Sequence, residues 1–309
     1  MSNIVAICLG GCEKEVLVDL QSQLPTSIIL SALDTPKFAD NATKFQQATI
    51  FRGESGCGKL LLQNVSSFDF LESVRSVQYW IAHAMHCSDM TQGDDYAIDL
   101  ERLTANIDFD AVFNVWKAAL SMEGLAKHHD VVNNVRKPKF CVRCIRDGKH
   151  QFTSVDFARK LGEIVINKTG WDVDLCAMDF EVVSFLLNEC LVVGIHIPTR
   201  HSVPFLKSKL PSEIRHPAVL STLAPSLRPS TSYTLIQLAR PGPSDVMVDC
   251  MCGSGSGFVE AAYSHHCALA MGGDVNTNLQ GTLTECLSLT RSMSGGKAVA
   301  EVRQLFLSC

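Results

Sequence analysis

The stretch Asp249-Cys250-Met251-Cys252-Gly253-Ser254-Gly255-Ser256-Gly257-Phe258-Val259-Glu260 carries the clearest chemical signal in the chain. It follows the short apolar run Val246-Met247-Val248 and leads into a helical pattern, Phe258 to Tyr263. Glycines where a strand becomes a helix let the backbone bend tightly and approach a ligand, and the first helical turn offers free N–H groups. The guest of such a turn is a phosphate, or the amino-acid tail and ribose of S-adenosylmethionine (SAM). A second weakly apolar run, Ala268 to Gly272, leads to Asp274, where an acid can grip ribose hydroxyls. Strand, glycines, helix, strand and acid in this order point to a nucleoside-type ligand. The plain structural alternative is an ordinary turn with a solvated Asp274.

The second signal is cationic. Arg136, Lys137, Lys139, Arg143, Arg146 and Lys149 face only Asp147 as an opposing charge, and His150 and Phe152 follow. Such a run beside a strand can meet a phosphate backbone, and an aromatic ring can pack on a base. A solvated charged edge explains the same run. The formal net charge of −5 confines any nucleic-acid contact to a local patch.

Three other patterns carry less. Gly53-Glu54-Ser55-Gly56-Cys57-Gly58-Lys59-Leu60 nearly spells a Walker A phosphate loop, but Leu60 stands where Ser or Thr must hold magnesium. The loop also opens onto Leu60 to Val65, which reads as a strand and not a helix. Cys141-Val142-Arg143-Cys144 has metal-like spacing without a second pair, so it reads as thiols on a strand. His265-His266-Cys267 reads as a helix end or turn. No metal site is expected, and no Ser-His-Asp or paired-carboxylate arrangement follows from spacing.

The elements that must position these residues are mixed. Ile4 to Cys8 is a strand, Lys14 to Leu24 a helix closed by Pro25, and Ala48 to Arg52 with Lys59 to Val65 a loose hairpin. Ser66-Ser67-Phe68-Asp69 caps a helix at Phe70 to Val74, and Val77 to His83 is another apolar run. Residues 88–106 are polar turns. Asp110 to Leu120 is a helix with Val112, Val115, Trp116 and Leu120 on one face. Residues 126–139 are a linker. Phe140 to Ile145 alternates as a strand, and Thr153 caps a helix to about Lys168 that Gly170 ends. Phe180 to Leu187 and Leu191 to Ile197 are strands joined at Asn188-Glu189. Residues 198–230 form a second linker before a helix at Thr231 to Leu238, which Pro241-Gly242-Pro243 breaks.

A chain of 309 residues holds two or three domains at roughly 100–200 residues each. With 46% hydrophobic and 19% charged residues it has the makings of an ordinary core. The start, Met1-Ser2-Asn3-Ile4-Val5-Ala6, lacks a basic region before a long apolar run, and no run of ~18 apolar residues suggests a membrane span. The 13 cysteines are scattered and read as reduced thiols in the cytosol or nucleus.

Together these residues resemble a known family. Arg146-Asp147-Gly148-Lys149-His150-Gln151-Phe152-Thr153-Ser154 is similar to the THUMP motif, in which Arg, His, Phe and Ser recur before a helix. Trp171-Asp172-Val173-Asp174-Leu175 and Val192-Val193-Gly194-Ile195 resemble later THUMP strands, and Val115-Trp116-Lys117 the end of the preceding module. Leu227-Arg228-Pro229-Ser230 resembles the entry to a methyltransferase domain, Asp249 to Glu260 its SAM motif, and Gly273-Asp274-Val275-Asn276 the next acidic loop. The chain thus resembles the THUMP-domain RNA (guanine-N2) methyltransferases. The resemblance implies α+β ferredoxin-like and THUMP domains at 1–125 and 126–200. The first part of an α/β Rossmann-like SAM-dependent methyltransferase domain follows at 201–309. It implies SAM held by Asp249, Cys252, Gly253, Gly255, Glu260 and Asp274, and RNA met by Lys139, Arg143, Arg146, Lys149, His150 and Phe152. The implied partners are tRNA or a small nuclear RNA and a small zinc-binding activator subunit.

Two departures stand out. Cys250 replaces the family's usual proline after Asp249, and no Asn-Pro-Pro-aromatic or Asp-Leu-Pro-Phe catalytic motif occurs. The reading is therefore of a truncated product, partial gene model or non-catalytic isoform, in which activator binding is also in question. A competing reading is a plain THUMP RNA-binding protein. The chain alone is expected to transfer no methyl group; turnover with tritiated SAM on tRNA transcripts would refute this.

Overall fold

The computed structural model describes residues 2–22, 47–50, 58–199, 227–264, 269–276 and 303–304. It divides into two units, Met1–Lys14 with Leu20–Ser202, and Glu15–Asp19 with Val203–Cys309. Along the chain, β1 (Ile4–Ile7) is followed by α1 (Glu13–Ser22), whose middle falls in the second unit, then β2 (Gln47–Ile50), β3 (Lys59–Gln63) and β4 (Tyr79–Cys87). Next come the helices α2 (Tyr96–Thr104), α3 (Phe109–Ala119), α4 (Met122–Lys127) and α5 (His129–Val132). Then follow β5 (Lys139–Asp147), α6 (Ser154–Thr169), β6 (Asp172–Val173), β7 (Phe180–Leu187) and β8 (Cys190–Ile197).

Eight strands form one sheet in the order β2-β3-β1-β4-β8-β7-β5-β6. The stretches 1–125 and 126–200 both supply strands to it. The expected hairpin is the antiparallel β2–β3 pair, with Ala48 opposite Leu62. β7 and β8 form the second hairpin around Asn188, whose φ of 51° suits a tight turn. β5 runs parallel to β7, which requires a crossover, and α6 supplies it. That helix starts where the sequence says. Thr153 and Asp156 make a reciprocal capping box, and Gly170 ends the helix at φ 67°. α3 begins at Asp108, whose side chain accepts from Ala111 N–H at 2.9 Å. Its apolar stripe buries Phe109, Val112, Phe113 and Trp116. Phe113 and Phe180 each lie within about 5.3 Å of both Trp116 and Trp171, and Trp116 Nε1 donates to the His196 carbonyl at 2.9 Å.

Three expectations change. Residues 126–139 are not a linker: they hold the end of α4, all of α5 and the start of β5, and His128 and Val131 are buried. Residues 88–106 contain α2. Phe70 to Val74 forms consecutive turns instead of a helix. Trp80 Nε1 donates to the Leu71 carbonyl, competing with a helical bond, and Phe70 packs edge-on against the same indole. The hairpin tip at 53–57 and most of the second linker, 200–226, lie outside the described residues.

The second unit contains α7 (Pro229–Ala239), β9 (Val246–Asp249), α8 (Ser256–Ser264), β10 (Leu269–Gly272) and β11 (Arg303–Gln304). Pro229 opens α7, where its missing N–H costs nothing. β11, β10 and β9 pair in parallel, with Gly272 opposite Asp249. Val246 and Val248, on one face of β9, are 55% and 50% exposed. Among the described residues no helix is long and apolar enough to cross a membrane.

Asp179, just before β7, ties α5 to the sheet. It accepts from both terminal nitrogens of Arg136 at 2.7 and 2.5 Å and from Lys139 N–H at 2.8 Å, with His128 Nδ1 at 3.9 Å. Burial opposes its ionisation, but His128, Arg136 and the Lys139 amide together hold its carboxyl well below the usual range. A depressed carboxyl stabilises the fold above its unfolded pKa of about 4 and loses that stabilisation as pH falls below it. Urea unfolding followed from pH 7 to pH 3 should show a steep acid loss that Asp179→Asn flattens. An unchanged acid limb in the variant contradicts this assignment.

Candidate cofactor and nucleic-acid sites

β9 ends at Asp249, and the chain turns through Cys250 to Gly255 before α8 begins. Parallel pairing continues past the strand ends: Gly273 N–H donates to the Asp249 carbonyl at 2.8 Å, and Cys252 N–H to the Gly273 carbonyl at 2.9 Å. Gly253 and Gly255 take φ of 51° and 84°, left-handed values that side chains resist. Asp274 then closes the turn. Its Oδ2 accepts from Gly253 N–H and its Oδ1 from Asn276 N–H, both at 2.8 Å. Asp249 Oδ1 accepts from Met251 N–H at 3.0 Å, and Oδ2 lies near the first turn of α8, 3.4 Å from where a Gly257 Cβ would stand. The structure therefore gathers Asp249, Cys252, Gly253, Gly255 and Asp274 at one strand-to-helix junction.

The surroundings are mostly closed. Cys252 is 7% exposed, and burial first, then Asp249 and Asp274, pushes its thiol up to about 11. It is an inert wall at neutral pH. Ser254 and Ser256 are buried with their hydroxyls 3.2 Å apart. Glu260 is fully buried on α8 and accepts a hydrogen bond from the Ser264 hydroxyl. Among the described residues, a Cβ built on Gly253 would meet nothing within 4 Å, which leaves that side of the turn open to them. His265, His266 and Cys267 lie outside the described residues.

The cationic run behaves differently. Lys139 to Arg146 spans β5, so its ends stand ~23 Å apart at about 3.3 Å per residue. Lys139 Nζ donates to Asp174 at 3.1 Å, and Arg143 reaches Glu181 Oε1 with Nη2 at 3.0 Å. Asp174 falls to about 2, chiefly through the Ala177 and Cys176 amides and then Lys139. Arg143 and Arg146, three apart on a strand, point to opposite faces. Arg146, exposed Lys149 and His150 gather instead at the β5–α6 turn. His150 Nε2 donates to the Asn188 carbonyl at 2.7 Å, and Arg146 Nε is buried without a hydrogen-bond partner among the described residues. Phe152 is 5% exposed, its ring stacked 4.2 Å from Tyr96 and 5.7 Å from Phe157. It supports the turn from beneath.

The lesser patterns resolve simply. Lys59 is 3% exposed within β3, opposite Ile7, and Gly58 N–H donates to Glu13 at 2.6 Å. That lysine is a strand residue and not a phosphate ligand. Cys141 donates to Glu181, and burial, then Glu181, pushes its thiol up to about 12. Cys144 lies on the opposite face. Among the described residues no group of three or more His, Cys, Asp or Glu could hold a metal ion. The sequence reading missed Tyr96, Asn188 and Glu181 as neighbours of the cations. Only Asn188, in its turn, left a local signal.

Comparison with known proteins places two domain types along the chain. A THUMP domain model matches residues 107–196, and a methyltransferase domain model of the RMKL-like type (UPF0020) matches 220–287. The chain therefore carries a THUMP domain and a stretch that matches an RMKL-like methyltransferase domain. The tRNA (guanine(6)-N(2))-methyltransferase THUMP3 proteins of Bos taurus and Homo sapiens are each 32% identical to it over 140 residues. That match covers 45% of this chain and 25% of each relative. TrmN from Thermus thermophilus shares the fold at a TM-score of 0.55 and 19% identity, over 100% of this chain and 74% of that one. A predicted N6-adenine-specific DNA methylase from Listeria monocytogenes does so at 0.55 and 12%, over 99% and 75%. The THUMP match starts before α3, so that helix and its Trp116 anchor are part of the THUMP-containing region.

If Phe152 is a support, Phe152→Ala should lower the unfolding free energy by ~3–5 kcal/mol, as other buried ring deletions do. Lys149→Ala, on the same turn but exposed, should stay within ~0.5 kcal/mol. Equal stability of the two variants in urea titrations would show that the Phe152 ring is dispensable to the core.

Proposed function

We propose that the second unit binds SAM at the Asp249–Asp274 junction and that the THUMP-containing unit brings tRNA to it for methylation at guanine N2. The carrying observation is the Asp274 carboxylate on Gly253 N–H at the tips of two parallel strands. The residues fit the group. The open side of Gly253 admits a ligand against bare backbone, and each Asp274 oxygen keeps a second lone pair for a ribose hydroxyl. Asp249 sets the loop's path, Cys252 and the buried serines exclude water, and the start of α8 favours an anionic group such as a carboxylate. Bound SAM would supply an electrophilic methyl group. On the RNA side, Arg146 and Lys149 meet backbone phosphates at the β5–α6 turn, and His150 holds that turn to Asn188. THUMP3 relatives named as tRNA (guanine(6)-N(2))-methyltransferases support the substrate. A small nuclear RNA as an alternative substrate, a small zinc-binding activator subunit and a cytosolic or nuclear location belong to the same proposal.

The second reading is an RNA-binding protein without methyl transfer. It rests on the THUMP match over residues 107–196, which accounts for RNA binding without the second unit. Calorimetry separates the two. The first predicts SAM binding that Asp274→Ala weakens at least tenfold, about 1.4 kcal/mol, while tRNA binding is unchanged. Lys149→Ala with Arg146→Ala should do the converse. Heat from tRNA and none from SAM would leave the second reading standing.

A further inference from the structure

Histidines 83 and 86 lie far from the glycine turn in sequence and take no part in the function above. On a regular strand, residues three apart point to opposite faces. β4 is not regular there. His83 pairs with Gly194, but Met85 pairs with Val193 and His86 with Val192, so the register slips by one residue between His83 and Met85. Gly194 and Val192 lie two apart on β8 and share a face. The bulge therefore turns both imidazoles to the same side, as bulges do when they re-aim a side chain. The result is a contact of 3.0 Å between His83 Nε2 and His86 Nδ1, with ring centroids 5.2 Å apart. The residue opposite His83 is a glycine, which adds no side chain of its own there.

We propose that His83 and His86 form a chelating pair for a divalent transition-metal ion of the nickel or copper type. Metal–imidazole bonds are about 2.0–2.1 Å, so two of them spanning that 3.0 Å contact open an angle of roughly 95°. This matches neighbouring positions of a square-planar or tetragonal ion, the geometry of Ni2+ and Cu2+, better than the ~109° of tetrahedral zinc. His86 is exposed, which gives the ion a way in, and water completes the coordination. One ring must pass its shared proton to its other nitrogen, a tautomer change without net proton release.

Ni2+ is the probe of choice because it leaves the chain's thiols unoxidised. The full chain, stripped with a chelator, is titrated with NiCl2 at pH 7 by calorimetry, alongside His86→Ala and His83→Ala. The wild type should bind one equivalent that both variants lose, or bind at least tenfold more weakly. Circular dichroism checks that each variant is folded. If His83→Ala unfolds, His86→Ala decides, since its side chain is exposed. Wild-type stoichiometry and affinity in folded His86→Ala overturn the proposal, as does a wild type with no nickel site in this range.

Discussion

The hydrogen bond from Gly253 N–H to the Asp274 carboxylate holds the second unit's chemistry together. β9 and β10 leave their sheet side by side, and the backbone bonds between Asp249, Cys252 and Gly273 carry the pairing one step beyond the strands. Asp274 then reaches across to the glycine turn, fixing the loop by a charge-assisted bond. Two carboxylates stand near one another here, and both are satisfied by backbone N–H groups. Their charge is thus held at the tips of a parallel sheet, where nucleoside ligands of α/β proteins bind. The left-handed glycines keep the turn free of side chains on its open side.

The first unit solves a different problem. It must present cations on a long sheet in a chain whose net charge is negative. Most of the β5 cations are spent internally: Lys139 on Asp174 and Arg143 on Glu181, with Arg136 just before the strand on Asp179. Arg143–Glu181 joins the parallel strands β5 and β7, Arg136–Asp179 ties the segments that lead into them, and Lys139–Asp174 holds the chain that leaves β6. What remains outward lies at the β5–α6 turn, propped by Phe152, Tyr96 and the Asn188 carbonyl. A continuous basic stripe in the sequence has become one small cationic turn in space.

Much of this was legible in the sequence where the determinants are local. The capping box at Thr153 and Asp156 with Gly170 marked α6, and the strand–glycine–helix order marked β9 and α8. Asp274 follows the second apolar run in sequence, and the structure sets it against the Gly253 amide. Non-local determinants stayed hidden. Lys127, His128, His129 and Asp130 read as a linker because their polarity is local, whereas the contacts that bury His128 and Val131 come from elsewhere. The Arg143–Glu181 pair joins residues 38 apart in sequence. Phe152 looked like a base-stacking ring, but its Tyr96 partner lies in a helix that the acidic turns around it masked. The bulge in β4 breaks the two-residue period, so no pattern announced that His83 and His86 share a face.

The central claim is that the glycine turn between Asp249 and Asp274 is where a methyl-donor nucleoside sits. Amide resonances in isotope-labelled protein report on that turn directly as S-adenosylhomocysteine is added. The account predicts that the Gly253, Gly255 and Asn276 amides shift together and saturably, while Gly148 and Gly170 in the first unit stay in place. Saturable shifts elsewhere with the three turn amides unmoved would contradict it.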